Sequence, residues 1–546
     1  MCTNPPSFAR INPHTSLAPR PLASPLPYGS LHTDGHTPNG PYVPHAALFA
    51  PFAWNIGPFA VQFHICAKMG FSVSLAGLCA SRALHAQSSR SFGGPPHMDA
   101  LTLSLWSVIP FAGMLLSIAI MPLVIPEWYE KHQLLVAGGW ALLFCIPFAI
   151  FHGVHELTYE LIESVVLDYI PFIVLLLGLF VVTGGIAVKG LIAGTTRNNV
   201  LMLVVGTLLS SWIGTTGSAM LLIRPLLRAN EWRKYKAHIV IFFIFLVANI
   251  GGCLTPLGDP PLFLGYLRGV PFFWTLQHIW PLLILNTVIL CVVFALIDNH
   301  YVRKEAAEGR SPADLLAPGE KAEKLHIEGG INFLYIGIIL VAVILNGALS
   351  DISQTVRVHL YDDIYLGLNF FVQIGLILLA CVLSLKTTPK HCREHNEFGY
   401  GPIAEVAKLF IGIFITMIPA LIILRANGAA LGIDSPLKFF WATGLLSSFL
   451  DKSPTYVVFL TTAGALGATS GVASTVGYVA TQELLAISAG AVFMGAITYI
   501  GNAPNFLVKN IAEIKGTKMP SFFGYMGWSL SILVPLFILD SVLFFL

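Results

Sequence analysis

The residues with the greatest potential for chemistry are charged side chains that interrupt two apolar stretches. The segment 447–456 reads SSFLDKSPTY and places Asp451 and Lys452 where a membrane helix would be apolar. The segment 251–261 reads GGCLTPLGDPP and contains Asp259. An ionisable residue inside a membrane is costly and by default marks an ion or proton path. We therefore predict that the helices are broken at these segments and that the breaks form a binding site.

Each segment has a counterpart elsewhere in the chain. The stretch 210–219, SSWIGTTGSA, aligns with 447–456, and the stretch 495–505, GAITYIGNAPN, is the second-half counterpart of the break at 251–261. The aligned pairs are Ser210 with Ser447, Ser211 with Ser448, Trp212 with Phe449, Thr216 with Ser453, Ser218 with Thr455, Thr255 with Thr498, Gly258 with Gly501, Asp259 with Asn502 and Pro261 with Pro504. Two interrupted apolar segments at corresponding places in two halves indicate the binding site of a transporter.

The broken segments provide carbonyls, hydroxyls, amides and carboxylates that suit a hard cation such as sodium. The candidate ion- or substrate-binding residues are Ser211, Thr215, Thr216, Ser218, Asp259, Ser448, Asp451, Lys452, Ser453, Thr455, Asn502 and Asn505. Asp259 and Asp451 are the candidate sodium ligands that supply negative charge. The alternative for each aspartate is a helix cap, and for each single Ser, Thr or Asn it is an interhelical hydrogen bond.

The composition defines the class of protein. The 546 residues are 55% hydrophobic and only 11% charged, whereas soluble domains carry roughly 25% charge, so we predict a polytopic membrane protein. The net charge of +2 is too small to indicate nucleic-acid binding. The sequence has no GxSxG, Walker or HExxH motif, so we expect neither an enzyme nor a cofactor, only a transported sodium ion and proton. His391, Cys392 and His395 lie in one polar loop, but their two short spacings do not predict a zinc site.

The N-terminal part differs from the rest of the chain. Residues 1–45 are rich in Pro, Ser, Gly and His without periodicity, which predicts disorder. Further on, Lys68, a short apolar run and an Ala-x-x-Ala ending resemble a secretory signal peptide that is cleaved near Ala86. Met69 is then an alternative start of the protein.

From residue 101 onward, apolar stretches recur with about the 20-residue length that crosses a bilayer. They lie at 101–124, 133–151, 168–188, 237–258, 273–297, 331–349, 364–385, 402–424, 484–506 and 521–546. Lys and Arg concentrate in the loops at 224–236, 303–324, 386–393 and 509–518, which we therefore place in the cytoplasm. On this count the segments 198–223 and 438–460 each enter and leave on one face, and the two do so from opposite faces.

We therefore predict an all-α polytopic membrane protein with two inverted repeats, each with a re-entrant hairpin and a broken transmembrane helix. The predicted organisation is a disordered extension with a signal peptide over 1–97, a first repeat over 98–297, a cytoplasmic linker over 298–330 and a second repeat over 331–546.

Several long stretches resemble a known family: GTTGSAMLLIRPLLRAN, NIGGCLTPLGDPPLFLGYLRGVPFFW, LFIGIFITMIPALIIL, SSFLDKSPTYVVF and YIGNAPNFLVKNIAE. They are similar to the citrate transporters and NhaD-like sodium/proton antiporters of the ion transporter superfamily, across residues 101–546. The resemblance implies two halves with opposed hairpins, a homodimer and a multi-pass location in the bacterial inner (cell) membrane. The residues it implicates are Thr215, Thr216, Ser218, Asp259, Asp451, Thr455 and Asn502.

The chain departs from the family pattern at one position. Where relatives would resemble LDNAPT, residues 450–455 read LDKSPT, so Lys452 is the unusual residue. Two hypotheses remain open: Lys452 neutralises Asp451 and weakens a sodium site, or Lys452 itself carries the transported proton.

The expected function is secondary transport that exchanges sodium for protons by alternating access, with the lipid bilayer and a small ion as partners. The alternative is a cation-coupled citrate or dicarboxylate transporter, in which hydroxyls and helix N-termini hold the carboxylates. Lys452 favours this alternative, and the intramembrane aspartates disfavour it because they would repel an anion. The duplicated breaks disfavour a passive channel or a membrane scaffold.

Overall fold

The computed structural model describes residues 103–190, 193–311 and 326–546. The predicted disorder and signal peptide within 1–97 lie outside the described residues, and so does the middle of the predicted linker.

Most of the described chain is helical. The helices of the first half are α1 Ile109–Val124, α2 Pro126–His152, α3 Val154–Ile162, α4 Ile170–Thr183, α5 Thr196–Ile213, α6 Thr215–Ala229, α7 Ala237–Leu246, α8 Pro260–Leu267 and α9 Trp274–Ala307. Those of the second half are α10 Ile331–Ala348, α11 Ser350–Thr355, α12 Leu368–Thr387, α13 Lys390–His395, α14 Gly401–Asn427, α15 Pro436–Phe449, α16 Lys452–Gly464, α17 Thr481–Met494, α18 Ala503–Ile514 and α19 Phe522–Asp540. Short 3-10 segments occupy Leu105–Val108, Ile250–Leu254 and Gly428–Leu431, and π-helical segments occupy Glu163–Tyr169 and Ser541–Phe545.

The described residues also form three small antiparallel sheets of two strands each. The strands are β1 Ala187–Lys189, β2 His326–Glu328, β3 Arg357–Tyr361, β4 Ile364–Gly367, β5 Val472–Ser474 and β6 Gly477–Val479. They pair as β1 with β2, β3 with β4 and β5 with β6. In the first sheet Ala187 lies opposite Glu328 and Lys189 opposite His326, which fixes the end of the linker against the first half.

Nine helical stretches of the described chain are long and apolar enough to cross a bilayer. They are Leu105–Pro122, Glu127–His152, Val154–Thr183, Ala237–Leu254, Trp274–Ala307, Ile331–Ala348, Leu368–Thr387, Gly401–Leu431 and Phe522–Phe545. This confirms an all-α polytopic membrane protein, because lipid tolerates spanning backbone only when its polar groups are satisfied internally.

Two predicted spans differ from the observed helices. The predicted span 484–506 is not continuous, because α17 ends at Met494 and α18 begins only at Ala503. The predicted span 168–188 begins earlier, at Val154, since Gly153 with its φ of 97° is the single residue between α2 and α3. The acidic residues of α3 lower the hydropathy of this segment, so the sequence did not predict it as part of a span, although one of them, Glu160, is buried.

The helix α7 forms the centre of the protein. Its sequence, AHIVIFFIFL, is apolar on all sides, and 94% of the window Ala237–Leu254 is buried inside the protein. A helix that is apolar all round is expected in a core. The broken segment that follows α7 is therefore enclosed by protein, where irregular backbone is tolerated.

Candidate substrate and ion site

Each half contains a helical hairpin with a sharp break at its tip. In the first half, Gly214 separates α5 from α6 and has a φ of 82°. This left-handed conformation favours glycine because it has no Cβ. In the second half, Leu450 and Asp451 separate α15 from α16, and Leu450 has an extended conformation.

A serine in each hairpin binds the broken segment of its own half in the same way. The Ser211 hydroxyl donates to the Gly251 carbonyl at 2.5 Å, and the Ser448 hydroxyl donates to the Met494 carbonyl at 3.0 Å. The two acceptors are 243 residues apart, which is also the spacing of the aligned pair Thr255 and Thr498. The sequence similarity between the two halves is therefore accompanied by equivalent hydrogen bonds.

A threonine in each broken segment donates back to the hairpin. Thr255 donates its hydroxyl proton to the Ser211 carbonyl, and Thr498 donates to the Ser448 carbonyl. These four hydroxyls hold the hairpins against the breaks, which is the structural alternative that the sequence left open for single Ser and Thr residues.

The aligned glycines bring backbone segments into close contact. A Cβ on Gly258 would lie 2.2 Å from the carbonyl oxygen of Gly252, and a Cβ on Gly501 would lie 2.7 Å from that of Gly495. Both distances are shorter than van der Waals contact, so a side chain at either position would push the break open.

At the breaks, helices of each half pack against helices of the other half. The return helix α6 of the first hairpin packs against α18 of the second half, and the return helix α16 of the second hairpin packs against α8 of the first half. Residues at the four helix starts therefore meet at an interface between the halves.

A buried ion pair crosses this interface. Asp259 immediately precedes α8, and Lys452 is the first residue of α16. The Lys452 Nζ lies 2.5 Å from Asp259 Oδ2, and the two side chains are 1% and 0% exposed. The other carboxylate oxygen of Asp259, Oδ1, has no hydrogen-bond partner among the described residues.

Lys452 pairs with an aspartate other than its neighbour in sequence. The adjacent Asp451 does not form the salt bridge, because its carboxylate accepts from the Ser453 amide at 2.9 Å and caps α16. Its backbone carbonyl accepts from the Thr455 hydroxyl at 2.9 Å. Asp451 thus has the helix-capping role that was the alternative to ion binding, and Lys452 neutralises an aspartate of the other half.

An asparagine cluster surrounds the ion pair. Asn249 Oδ1 accepts from Lys452 Nζ at 3.3 Å and from Asn502 Nδ2 at 3.2 Å. The Asn249 amide nitrogen donates to Asn505 Oδ1 at 2.7 Å. Asn502 also donates to the Ala248 carbonyl at 2.7 Å. The aligned residues Asp259 and Asn502 therefore each bind a residue of the opposite half.

The remaining candidate residues lie on the first turn or two of α6 and α16. Thr215, Ser218 and Ser453 are buried, and Thr216 is half-buried. The Thr215 amide donates to the Gly258 carbonyl at 2.9 Å, which joins the hairpin tip to the break. The buried Ser218 hydroxyl has no hydrogen-bond partner among the described residues.

Four helices begin at these breaks: α6, α8, α16 and α18. Of these four, only α16 has a side-chain cap within the described structure. The N-terminus of a helix carries a partial positive charge and binds anions through its free amides. The arrangement therefore combines one lysine and several positive helix ends with two carboxylates.

Comparison with known proteins identifies the family. The family model described as "Putative citrate transport" matches residues 100–545 of the chain. The chain belongs to this family. No curated protein matches it. This protein is accordingly a multi-pass membrane transporter of the citrate-transport family.

Membership of the citrate-transport family changes which of the two expected functions is better supported. The family name fits the alternative, citrate or dicarboxylate transport, better than sodium/proton exchange. The NhaD-like part of the sequence resemblance is not confirmed. Sodium coupling and the signal peptide remain predictions.

Sequence reasoning missed one residue of the site. Asn249 is fully buried and binds both Lys452 and Asn505, yet it has no aligned counterpart in the quoted repeats. The available signal was its position, since it is a polar residue two positions before the GG of the first break in an otherwise apolar run. In this member of the citrate-transport family, Lys452 and Asn249 are among the polar residues that connect the halves.

Proposed function

We propose that this protein transports citrate or a dicarboxylate across the cell membrane and that a proton accompanies the substrate. The observation that carries this proposal is the buried Lys452, which lies at a helix break and is shared by both halves through Asp259. Among the described residues, Lys452 is the only buried lysine. A charge in such a place is costly and is expected to have a functional partner.

The ion pair removes the objection that the aspartates repel an anion. Asp259 is neutralised by Lys452 at 2.5 Å, and the carboxylate of Asp451 is occupied with the amide that it caps. Lys452 therefore compensates one carboxylate, and the positive start of α16 stabilises the charge of Asp451. The positive ends of α6, α8 and α18 then favour a carboxylate substrate.

The proposed cycle exchanges one carboxylate for another on Lys452. A proton binds the Asp259 carboxylate, and the neutral acid releases the ammonium group. A substrate carboxylate takes the place of Asp259 as the counter-ion of Lys452. After the hairpins move and the substrate leaves, Asp259 gives up its proton on the other side and the ion pair forms again. One proton and one substrate move together, and Lys452 has one carboxylate counter-ion at each stage. The other carboxylates of the substrate face the positive ends of α6, α8 and α18.

Sodium/proton exchange is the second candidate, and Lys452 is the feature that disfavours it. A sodium ion bound to Asp259 would lie on the order of 4 Å from the ammonium group, where two like charges repel by about 4 kcal/mol at an effective dielectric constant of 20. A sodium site at Asp259 is therefore weak while Lys452 is present.

The test uses purified protein in proteoliposomes that contain a pH-sensitive dye. An inward proton gradient is imposed and citrate, succinate, sodium, lithium or potassium is added in turn, with radiolabelled citrate as a second readout. We expect citrate or succinate to enter with protons, and Lys452→Gln and Asp259→Asn to abolish this signal. The matched control is Lys438→Gln, which removes an exposed lysine from a surface pair with Asp434.

Two outcomes decide between the candidates. A proton signal with sodium but none with the carboxylates would overturn the proposal and support exchange. A further variant, Lys452→Asn, restores the residue of the LDNAPT pattern, and we expect it to weaken citrate uptake and to introduce sodium dependence.

A further inference from the structure

A second polar cluster lies far in sequence from the transport site, where the linker strand β2 meets helix α13. The carboxylate oxygen Glu328 Oε2 is 3.0 Å from His391 Nε2 and 2.8 Å from Lys189 Nζ. The thiol of Cys392 lies 3.9 Å from the same oxygen. The ligand atoms of Glu328, His391 and Cys392 all lie within 4.8 Å of one another.

We propose that Glu328, His391 and Cys392 form a binding site for a divalent transition-metal ion of the zinc type. The set contains one sulfur, one imidazole nitrogen and one carboxylate oxygen, and zinc accepts each of these ligands. Magnesium and calcium prefer oxygen ligands alone, so the thiol and the imidazole select against them. The sequence by itself did not predict the site, because Glu328 is more than 60 residues from the two others.

The geometry is close to what a metal ion requires. Zinc bonds of about 2.0–2.3 Å in a tetrahedron separate the ligand atoms by about 3.3–3.8 Å. The separation between Glu328 and His391 is already slightly smaller, and that between Glu328 and Cys392 is slightly larger. Small side-chain rotations are therefore enough, and no helix has to move.

The exposure of the three residues also fits a metal site. Cys392 is fully buried, whereas the side chains of His391 and Glu328 are 58% and 26% exposed. The soft ligand is thus fixed inside, and the ion can enter past the histidine. His326 Nε2 lies 3.5 Å from the other oxygen of Glu328 and is a candidate for a fourth ligand.

The alternative is that the cluster is only an ion-pair network that fastens β2 to α13. The two interpretations differ at Lys189. In an ion-pair network Lys189 stabilises the cluster, whereas at a metal site its ammonium group competes with the metal for Glu328. Removal of the lysine charge therefore has opposite consequences for metal binding and for a purely electrostatic network.

The experiment measures cobalt binding to the full-length protein in detergent, after removal of any affinity tag and dialysis against a chelator. We expect one equivalent of Co²⁺ with a thiolate-to-cobalt charge-transfer band, and displacement of the cobalt by Zn²⁺. Cys392→Ser removes the band, and His391→Ala weakens binding at least tenfold. His395→Ala is the matched control, because it changes a histidine of the same helix outside the cluster.

Lys189→Gln gives the sharpest test. We expect it to tighten cobalt binding about threefold, which is the effect of losing one partly exposed charge pair. Each variant is first checked for a single symmetric peak in gel filtration. The proposal is overturned if cobalt binds without a thiolate band, if the band survives in Cys392→Ser, or if Lys189→Gln weakens binding.

Discussion

The ion pair between Lys452 and Asp259 should couple the stability of the two halves, and a double-mutant cycle measures this coupling. At a separation of 2.5 Å, the attraction between unit charges is about 7 kcal/mol for an effective dielectric constant of 20. Desolvation offsets most of this value, since both groups are fully buried. Removal of one partner, however, leaves the other charge buried and unpaired, which costs about 3–5 kcal/mol.

We therefore expect Lys452→Gln and Asp259→Asn each to destabilise the protein by about 3–5 kcal/mol. The double variant pairs two neutral amides, so its destabilisation should be smaller than the sum of the single values by about 2 kcal/mol or more. Thermal unfolding in lipid nanodiscs, followed by tryptophan fluorescence, measures these changes.

The surface pair of Lys438 and Asp434 is a matched control for this cycle. Its atoms lie 2.7 Å apart, and its side chains are 53% and 60% exposed. The same substitutions there should change stability by no more than about 0.5 kcal/mol. Additive effects of the two substitutions at Lys452 and Asp259 would refute the reasoning, because they would mean that the pair contributes no coupling between the halves.

Three further predictions concern packing, the asparagine cluster and a peripheral ion pair. Gly258→Ala should destabilise the protein by about 1–3 kcal/mol because its Cβ would meet backbone, whereas Gly337→Ala, in an open position of α10, should be neutral or stabilising in the same unfolding assay. Asn249→Ala should cost about 2–3 kcal/mol, since it leaves several buried partners without a hydrogen bond, and a loss below 1 kcal/mol would contradict this account. The hydrogen bond from Arg224 lowers the pKa of Glu397, so its contribution to stability is present above the pKa of the unfolded state and is lost as the pH falls through the lower pKa of the folded state. The difference in unfolding temperature between the native protein and Glu397→Gln should therefore shrink on acidification, and a constant difference would exclude this linkage.

The substrate proposal and the metal proposal are independent of each other. The first rests on a buried lysine at the interface between the halves, and the second on a thiol, an imidazole and a carboxylate at the linker. A protein that binds cobalt as described but does not transport citrate would support the metal site alone.

The spans and the positions of the breaks could be predicted from the sequence because both are local properties. The length of a span follows from the length of its apolar run, and clusters of Gly, Pro and polar residues mark the breaks near Gly214, Asp259 and Asn502. The helix at Val154–Thr183 shows the limit of this approach, since its acidic residues reduced the apolar signal although the fold buries Glu160.

What only the tertiary structure decided is which charges and polar groups meet. Lys452 is adjacent to Asp451 in sequence, and yet its ammonium group pairs with Asp259 in the other half. There are two physical reasons. The carboxylate of Asp451 accepts a hydrogen bond at the start of its own helix, α16. The packing of α16 against α8 brings the long side chain of Lys452 to Asp259. The sequence by itself determined that buried charges and helix breaks occur twice in this chain. The packing of the two halves determined that they form one shared site.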